Sequence, residues 1–278
     1  MFTTLVTAAE LAAHLDDSGW LVFDCRHDLA DTAAGRRAYS QSHIPGARFV
    51  HLDEDLSGPK TGRTGRHPLP DAQWFCARLA ALGMRNDRQV VAYDASGGYY
   101  AARLWWMLRW VGHMQVAVLD GGWDAWVRAG MAVTTLLPVV EPAPFSGSIR
   151  EVAVDADSVL NALGQPHRLI VDARSPDRFR GENETLDAVG GHIPGARNRF
   201  FKDNLAADGR FKPATALRDD YAQLLGAISP REVVHQCGSG VTACHNLLAM
   251  EIAGFSGSKL YAGSWSEWCS DPQRPIAR

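Results

Sequence analysis

The stretch Val233-Val234-His235-Gln236-Cys237-Gly238-Ser239-Gly240-Val241-Thr242 runs from an apolar segment into two glycines and then into a helix-like pattern that extends to Ala253. A short apolar run ahead of a glycine-rich turn reads as a buried strand. Gly254 supplies the stop signal for the helix. Cys237 therefore stands at the lip of a strand–loop–helix turn. Glycines let backbone N–H groups approach a ligand closely. Successive amides at a helix N-terminus form a cradle for an anion. A thiol placed there is expected to act as an anionic sulfur nucleophile. Cys25, Cys76, Cys244 and Cys269 have no such setting and read as small core residues. The five cysteines are scattered without a C-x-x-C pair, which argues against a disulfide framework and a structural zinc site.

The elements that must position this loop occur twice. Ser42-His43-Ile44-Pro45-Gly46-Ala47-Arg48 returns as Gly191-His192-Ile193-Pro194-Gly195-Ala196-Arg197. Upstream, Val22-Phe23-Asp24-Cys25-Arg26 pairs with Ile170-Val171-Asp172-Ala173-Arg174. Downstream, Gly122-Trp123-Asp124-Ala125-Trp126 pairs with Ser264-Trp265-Ser266-Glu267-Trp268. Landmarks in one order at nearly one spacing are the mark of a duplicated unit. The tryptophans, three apart, belong on one helical face and read as core packing. The first-half counterpart of the loop, Val90-Val91-Ala92-Tyr93-Asp94-Ala95-Ser96-Gly97-Gly98, carries Asp94 where the thiol would stand. Asp94 cannot carry sulfur, so the first half is expected to be silent.

Short apolar runs at 20–23, 89–93 and 116–119 recur at 169–171, 232–235 and 259–261, separated by helical patterns. Such runs are expected to be parallel strands buried on both faces. Thr7-Ala8-Ala9-Glu10 has the form of a capping box. Each half is thus expected to be a small α/β domain, a parallel sheet with helices on both faces. The expected division is residues 1–135, a linker at 136–150 marked by Pro138, Pro142 and Pro144, and residues 151–278.

The chain has 278 residues, 46% of them hydrophobic and 21% charged, with a net charge of −3. That length suits two domains, and the charge argues against nucleic acid as a partner. No apolar run reaches the roughly 20 residues a membrane span needs. Met1 to Trp20 lacks the pattern of a signal peptide. The expectation is a cytoplasmic monomer.

The paired His-Ile-Pro-Gly-Ala and Trp-x-x-Trp boxes, together with Cys-Gly-Ser-Gly-Val-Thr, resemble the rhodanese superfamily from about Leu5 to Trp268. The similarity is strongest to its tandem-domain thiosulfate and 3-mercaptopyruvate sulfurtransferases. The resemblance implies a silent first domain, a catalytic second domain and a site in the cleft between them. It implies that Cys237 takes sulfur from a small anionic donor as a persulfide. An acceptor such as thioredoxin, a small thiol or cyanide then receives it, and no cofactor is called for. Cys237 is matched as the nucleophile, and the amides of Gly238, Ser239, Gly240, Val241 and Thr242 are matched as the anion cradle. Ser239 stands where mercaptopyruvate enzymes carry serine, which places 3-mercaptopyruvate ahead of thiosulfate. Arg178 matches an arginine that contacts the donor. A second arginine, usual in mercaptopyruvate enzymes, is missing from the segment 182–187, a departure that weakens a carboxylate clamp. Asp53 and His67 align with an acid–histidine pair that assists the cysteine. The glycine-rich stretch around His67 also holds Lys60, Arg63 and Arg66, cations that could draw an anionic donor.

Two other readings remain. A Cys-x5-Arg phosphatase would need arginine where this chain has Ala243. A non-catalytic binding module would lack a nucleophile in both halves, against which Cys237 speaks.

Overall fold

The computed structural model describes all 278 residues. The first repeat runs β1 (Leu5–Val6), α1 (Ala8–Ala12), β2 (Trp20–Asp24), α2 (Ala34–Gln41), β3 (Arg48–Phe49), α3 (Ala72–Ala81), β4 (Gln89–Tyr93), α4 (Tyr99–Trp110), β5 (Val116–Leu119) and α5 (Gly122–Arg128). The second runs β6 (Ala153–Val154), α6 (Ala156–Asn161), β7 (Leu169–Asp172), α7 (Pro176–Phe179), β8 (Arg197–Asn198), a 3₁₀ turn (Phe201–Asn204), α8 (Ala214–Leu225), β9 (Val233–Gln236), α9 (Thr242–Ile252), β10 (Lys259–Tyr261) and α10 (Ser264–Trp268). Two parallel five-stranded sheets result, ordered β1-β5-β4-β2-β3 and β6-β10-β9-β7-β8. The orders correspond strand for strand, as the duplicated boxes require. This is the α/β architecture expected, one sheet with its helices in each repeat.

Two compact units emerge. The first is Met1–Gly58, Pro70–Arg150 and Ala207–Arg210; the second is Pro59–Leu69, Glu151–Ala206 and Phe211–Arg278. The segment Pro59–Leu69 thus lies inside the first repeat in sequence but packs with the second unit. Residues 136–150 form no helix or strand and lie with the first unit, where Ala143 N–H donates to the Ala80 carbonyl at 2.9 Å.

Local chemistry explains the elements. Thr7 and Glu10 cap α1 reciprocally. Central strands β4 and β9 are buried at every residue, which fits strands covered on both faces. The repeated Asp-x-Arg triplets prove structural. Arg174 grips Asp172, reaches the Gly191 carbonyl at 2.7 Å and lies 4.7 Å over the Trp265 ring. Arg26 does the same with Asp24, the Ser42 carbonyl and Trp123. Each arginine so ties the end of a strand to both repeated boxes. Trp126, Trp265 and Trp268 are fully buried, the core role their spacing implied.

Candidate active site in the second unit

Strands β7 and β9 pair from Leu169↔Val233 to Asp172↔Gln236, so the chain leaves the sheet's carboxyl end at Cys237. That end is where open α/β sheets bind ligands. Cys237 is 1% exposed. The Gly240 amide donates to its Sγ at 3.1 Å. Gly240 has φ +79°, and a Cβ there would lie 2.3 Å from the Ala262 carbonyl oxygen, so glycine is required for that amide to turn inward. Thr242 opens α9, whose first-turn amides lack intrahelical acceptors.

The turn before α10 holds the loop from the other side. Ser264 Oγ accepts the Cys237 amide at 3.1 Å and donates to the Tyr261 carbonyl at 2.9 Å. The Trp265 and Ser266 amides donate to the carbonyls of Cys237 and Gly238, both at 2.9 Å. Ser264 has φ +55°, the one non-glycine residue in the left-handed region. The sequence offered no signal for its role.

The corresponding loop in the first unit shows what this turn does to an anion. The Asp94 carboxylate accepts from the amides of Ser96, Gly98, Tyr100 and Ala101 at 2.8–2.9 Å. Burial pushes that carboxyl up, against the pull of those same amides. The turn therefore gathers several N–H groups onto the position that Cys237 occupies in the second unit.

The segment Pro59–Leu69 supplies side chains to the second unit's loop. His67 Nδ1 lies 2.8 Å from Ser239 Oγ, and both residues are buried. The Arg66 amide donates to Ser266 Oγ at 3.0 Å, and its guanidinium pairs with Asp187. Arg178, at the end of α7, bonds Glu184 at 2.8 Å and reaches Asp187 at 3.4 Å. Burial raises the Glu184 carboxyl, but the hydrogen bonds and charge of Arg178 together with the Leu186 and Asp187 amides outweigh it and hold the group below the usual range. Asp187 is pushed up by burial, with Arg66 opposing. Asp53 belongs to the first unit, where its carboxylate lies 3.8 Å from His27 Nε2 and its amide donates to His51 Nδ1 at 3.1 Å. Of the other cysteines, burial pushes the thiols of Cys25, Cys76 and Cys269 up, away from the reactive thiolate. Cys244 is buried, with its thiol donating to the Gly240 carbonyl at 3.3 Å.

The model of the rhodanese-like domain matches this chain twice, at residues 7–129 and 155–271. The chain belongs to the rhodanese family. A "Probable 3-mercaptopyruvate sulfurtransferase" of Pseudomonas aeruginosa is 49% identical over 276 residues, 98% of this chain and 97% of that one. A "Thiosulfate sulfurtransferase" of Rattus norvegicus is 36% identical, over 89% of this chain and 84% of that one. Among solved structures, the 3-mercaptopyruvate sulfurtransferase of Leishmania major superposes with a TM-score of 0.87 at 31% identity, covering 99% of this chain and 76% of that one. This rhodanese is accordingly an enzyme of the sulfurtransferase class. No helix in it is long and apolar enough to cross a membrane.

Proposed function

We propose that the enzyme moves a sulfane sulfur from 3-mercaptopyruvate to a thiol acceptor through a persulfide on Cys237. The observation that carries this reading is the Gly240 amide aimed at Cys237 Sγ in a turn whose first-unit twin wraps a carboxylate with four amides. The Cys237 thiolate attacks the donor's thiol sulfur, and the carbon–sulfur bond breaks toward carbon. The thiol proton passes to the departing enolate, so pyruvate leaves and Cys237 holds the terminal sulfur as an anionic persulfide. The amides of Gly238, Ser239, Gly240, Val241 and Thr242 stabilise that charge. An acceptor thiol, on thioredoxin or a small molecule, then takes the outer sulfur and returns the cysteine thiolate.

Ser239 and His67 form the proton-handling pair of this scheme, supported by their 2.8 Å contact. A buried hydroxyl–imidazole pair can relay the donor's thiol proton to the departing enolate. Asp53 is proposed, from the family resemblance alone, to assist the cysteine. Arg178 binds the donor's negative end. The uncharged Ser239 favours 3-mercaptopyruvate over the doubly charged thiosulfate, and the relative at 49% identity carries the former name. The first unit, with Asp94 filling its own cradle, carries no sulfur. Five free cysteines fit a reducing compartment, and we place the enzyme in the cytoplasm as a monomer.

Mass spectrometry of donor-treated protein tests the scheme. A mass gain of one sulfur atom on the peptide containing Cys237, lost in Cys237→Ser, is expected. Sulfur on another cysteine, or on none, refutes it. Turnover of both donors with one acceptor tests the preference, and faster use of thiosulfate reverses it.

A further inference from the structure

One buried side chain in the first unit has no use in the account so far. His27 is 8% exposed, and neither of its ring nitrogens has a hydrogen-bond partner. A polar group buried in that state costs stability and calls for a reason. Asp53 Oδ2 lies 3.8 Å from His27 Nε2, too far for a hydrogen bond. His51 completes the group, for one ligand atom from each of His27, His51 and Asp53 lies within 4.8 Å of the others. All three residues belong to the first unit.

The surrounding backbone fixes these side chains. Arg26, directly before His27, is anchored on Asp24 and the Ser42 carbonyl. A Cβ on Gly35 would lie 1.8 Å from the Arg26 carbonyl oxygen and 3.2 Å from His27 Cα, so α2 presses on this turn. The His27 ring packs T-shaped against Tyr100 and His51 at 5.2 and 5.0 Å. His51 Nε2 lies 2.9 Å from the Thr32 carbonyl oxygen, which only accepts, so that nitrogen carries the ring proton and Nδ1 holds the lone pair. Metal-ligating histidines are commonly oriented in this way, through a carbonyl on the other nitrogen. The amides of Asp53 and Glu54 share the Nδ1 lone pair at 3.1 and 3.3 Å. Glu54 is exposed and Asp53 partly so, and water can replace His51 as the acceptor for their amides.

The fold does not demand this trio. Counted from Arg26↔Arg174 and Arg48↔Arg197, the second repeat builds the same positions with Ser175, Phe200 and Lys202. The two histidines and the carboxylate are therefore peculiar to the half that carries no nucleophile.

We propose that His27, His51 and Asp53 form a zinc site in the first unit, with water in the fourth position. Two imidazoles and one carboxylate suit Zn2+, whereas Mg2+ and Ca2+ take oxygen ligands. Ligand atoms roughly 2.0–2.2 Å from a tetrahedral ion stand about 3.4 Å apart. The spacing between His27 Nε2 and Asp53 Oδ2 is close to that, and a small closure brings the group onto one ion. The ion gives His27 the partner it lacks and ties the turn after β2 to the turn after β3. Asp53, with its side chain 25% exposed, opens the way in from solvent. The site does not involve Cys237 and stands apart from the sulfur-transfer reading.

Calorimetric titration of the chelator-treated full chain with Zn2+ tests the site. Because a thiolate also takes zinc, the titration is made on Cys237→Ser as well as on the wild type. One ion bound per Cys237→Ser chain is expected, together with a melting temperature that rises with zinc concentration. In the same background, His27→Leu fills the buried position without polar atoms and should weaken zinc at least about tenfold. Asp53→Asn keeps the shape at the solvent-facing edge and should weaken it likewise, without disturbing the core. Cys237→Ser protein that binds no zinc would overturn the proposal. So would zinc held as tightly by His27→Leu and Asp53→Asn as by their background. Sulfur loading of Cys237 is measured without zinc, so its failure would defeat the persulfide reading and leave the metal result standing.

Discussion

Replacing Ser264 by alanine and by glycine separates two effects that its position combines. The hydroxyl accepts the buried amide of Cys237 and donates to Tyr261, while the backbone stands at φ +55°. Alanine removes the hydroxyl and keeps the strain. It orphans a buried N–H, which costs about 1–3 kcal/mol. Glycine removes both. The left-handed conformation costs a non-glycine residue about 1–2 kcal/mol, against roughly 0.5–1 kcal/mol for the extra freedom glycine loses on folding. Ser264→Gly should thus be more stable than Ser264→Ala by about 1 kcal/mol, with both below the parent. That difference corresponds to about 3 °C in melting temperature. Gly122, the equivalent residue of the first unit, has the same φ of +55° and shows that glycine suits the turn. Because both variants lose the hydroxyl, both should slow alkylation of Cys237 to a similar extent. Equal melting of the two variants would dispose of the strain, and an alanine variant as reactive and stable as the parent would dispose of the anchor.

His235 is fully buried beside Met250 Sδ, with its Nδ1 unpartnered, and burial lowers its pKa to about 3. The unfolded chain binds this proton near its ordinary 6.5 and the folded chain does not until about 3. Stability is therefore complete above pH 6.5 and falls by up to about 1.4 kcal/mol per pH unit below it. His235→Leu should flatten the acid limb of a urea-midpoint profile, and an unchanged slope would refute the assignment. Asp94→Ala removes the acceptor of four amides, three of them in buried hydrogen bonds, and should cost about 3 kcal/mol or more. Sulfur loading of Cys237 should persist in that variant at temperatures where it is folded; a variant that melts with the parent contradicts the account.

What the sequence made legible was local or repeated. The strand into Cys237, the helix after it and the stop at Gly254 follow from residues within a few positions of one another, and the observed α9 ends one residue short of Ala253. That the two sheets share one strand order followed from duplication, since one α/β unit read twice must build two equivalent sheets. The missing parts join distant residues. His67 meets Ser239 across 172 positions, and the Arg66 amide meets Ser266 across 200. No periodicity or spacing encodes that Pro59–Leu69 departs from its own repeat to pack with the other. In sequence the segment 182–187 showed only the lack of a second arginine. Its carboxylates at 184 and 187 instead turn inward, 4% and 5% exposed, and position arginines. Ser264 was invisible because its importance lies in a backbone angle.

The two loops differ in how much anion they supply for themselves. Asp94 is part of the chain, and its two oxygens occupy the amides of its turn permanently. Such a turn is stable and closed. Cys237 offers a single sulfur atom on a shorter side chain, contacted by the Gly240 amide. A persulfide adds one more sulfur atom at that place and carries the charge outward on it. Under the persulfide scheme proposed above, the turn that is filled from the start in the first unit gains its extra anionic atom in the second on sulfur loading, which favours the intermediate over the resting thiol. That differential stabilisation is what an enzyme needs from a covalent relay.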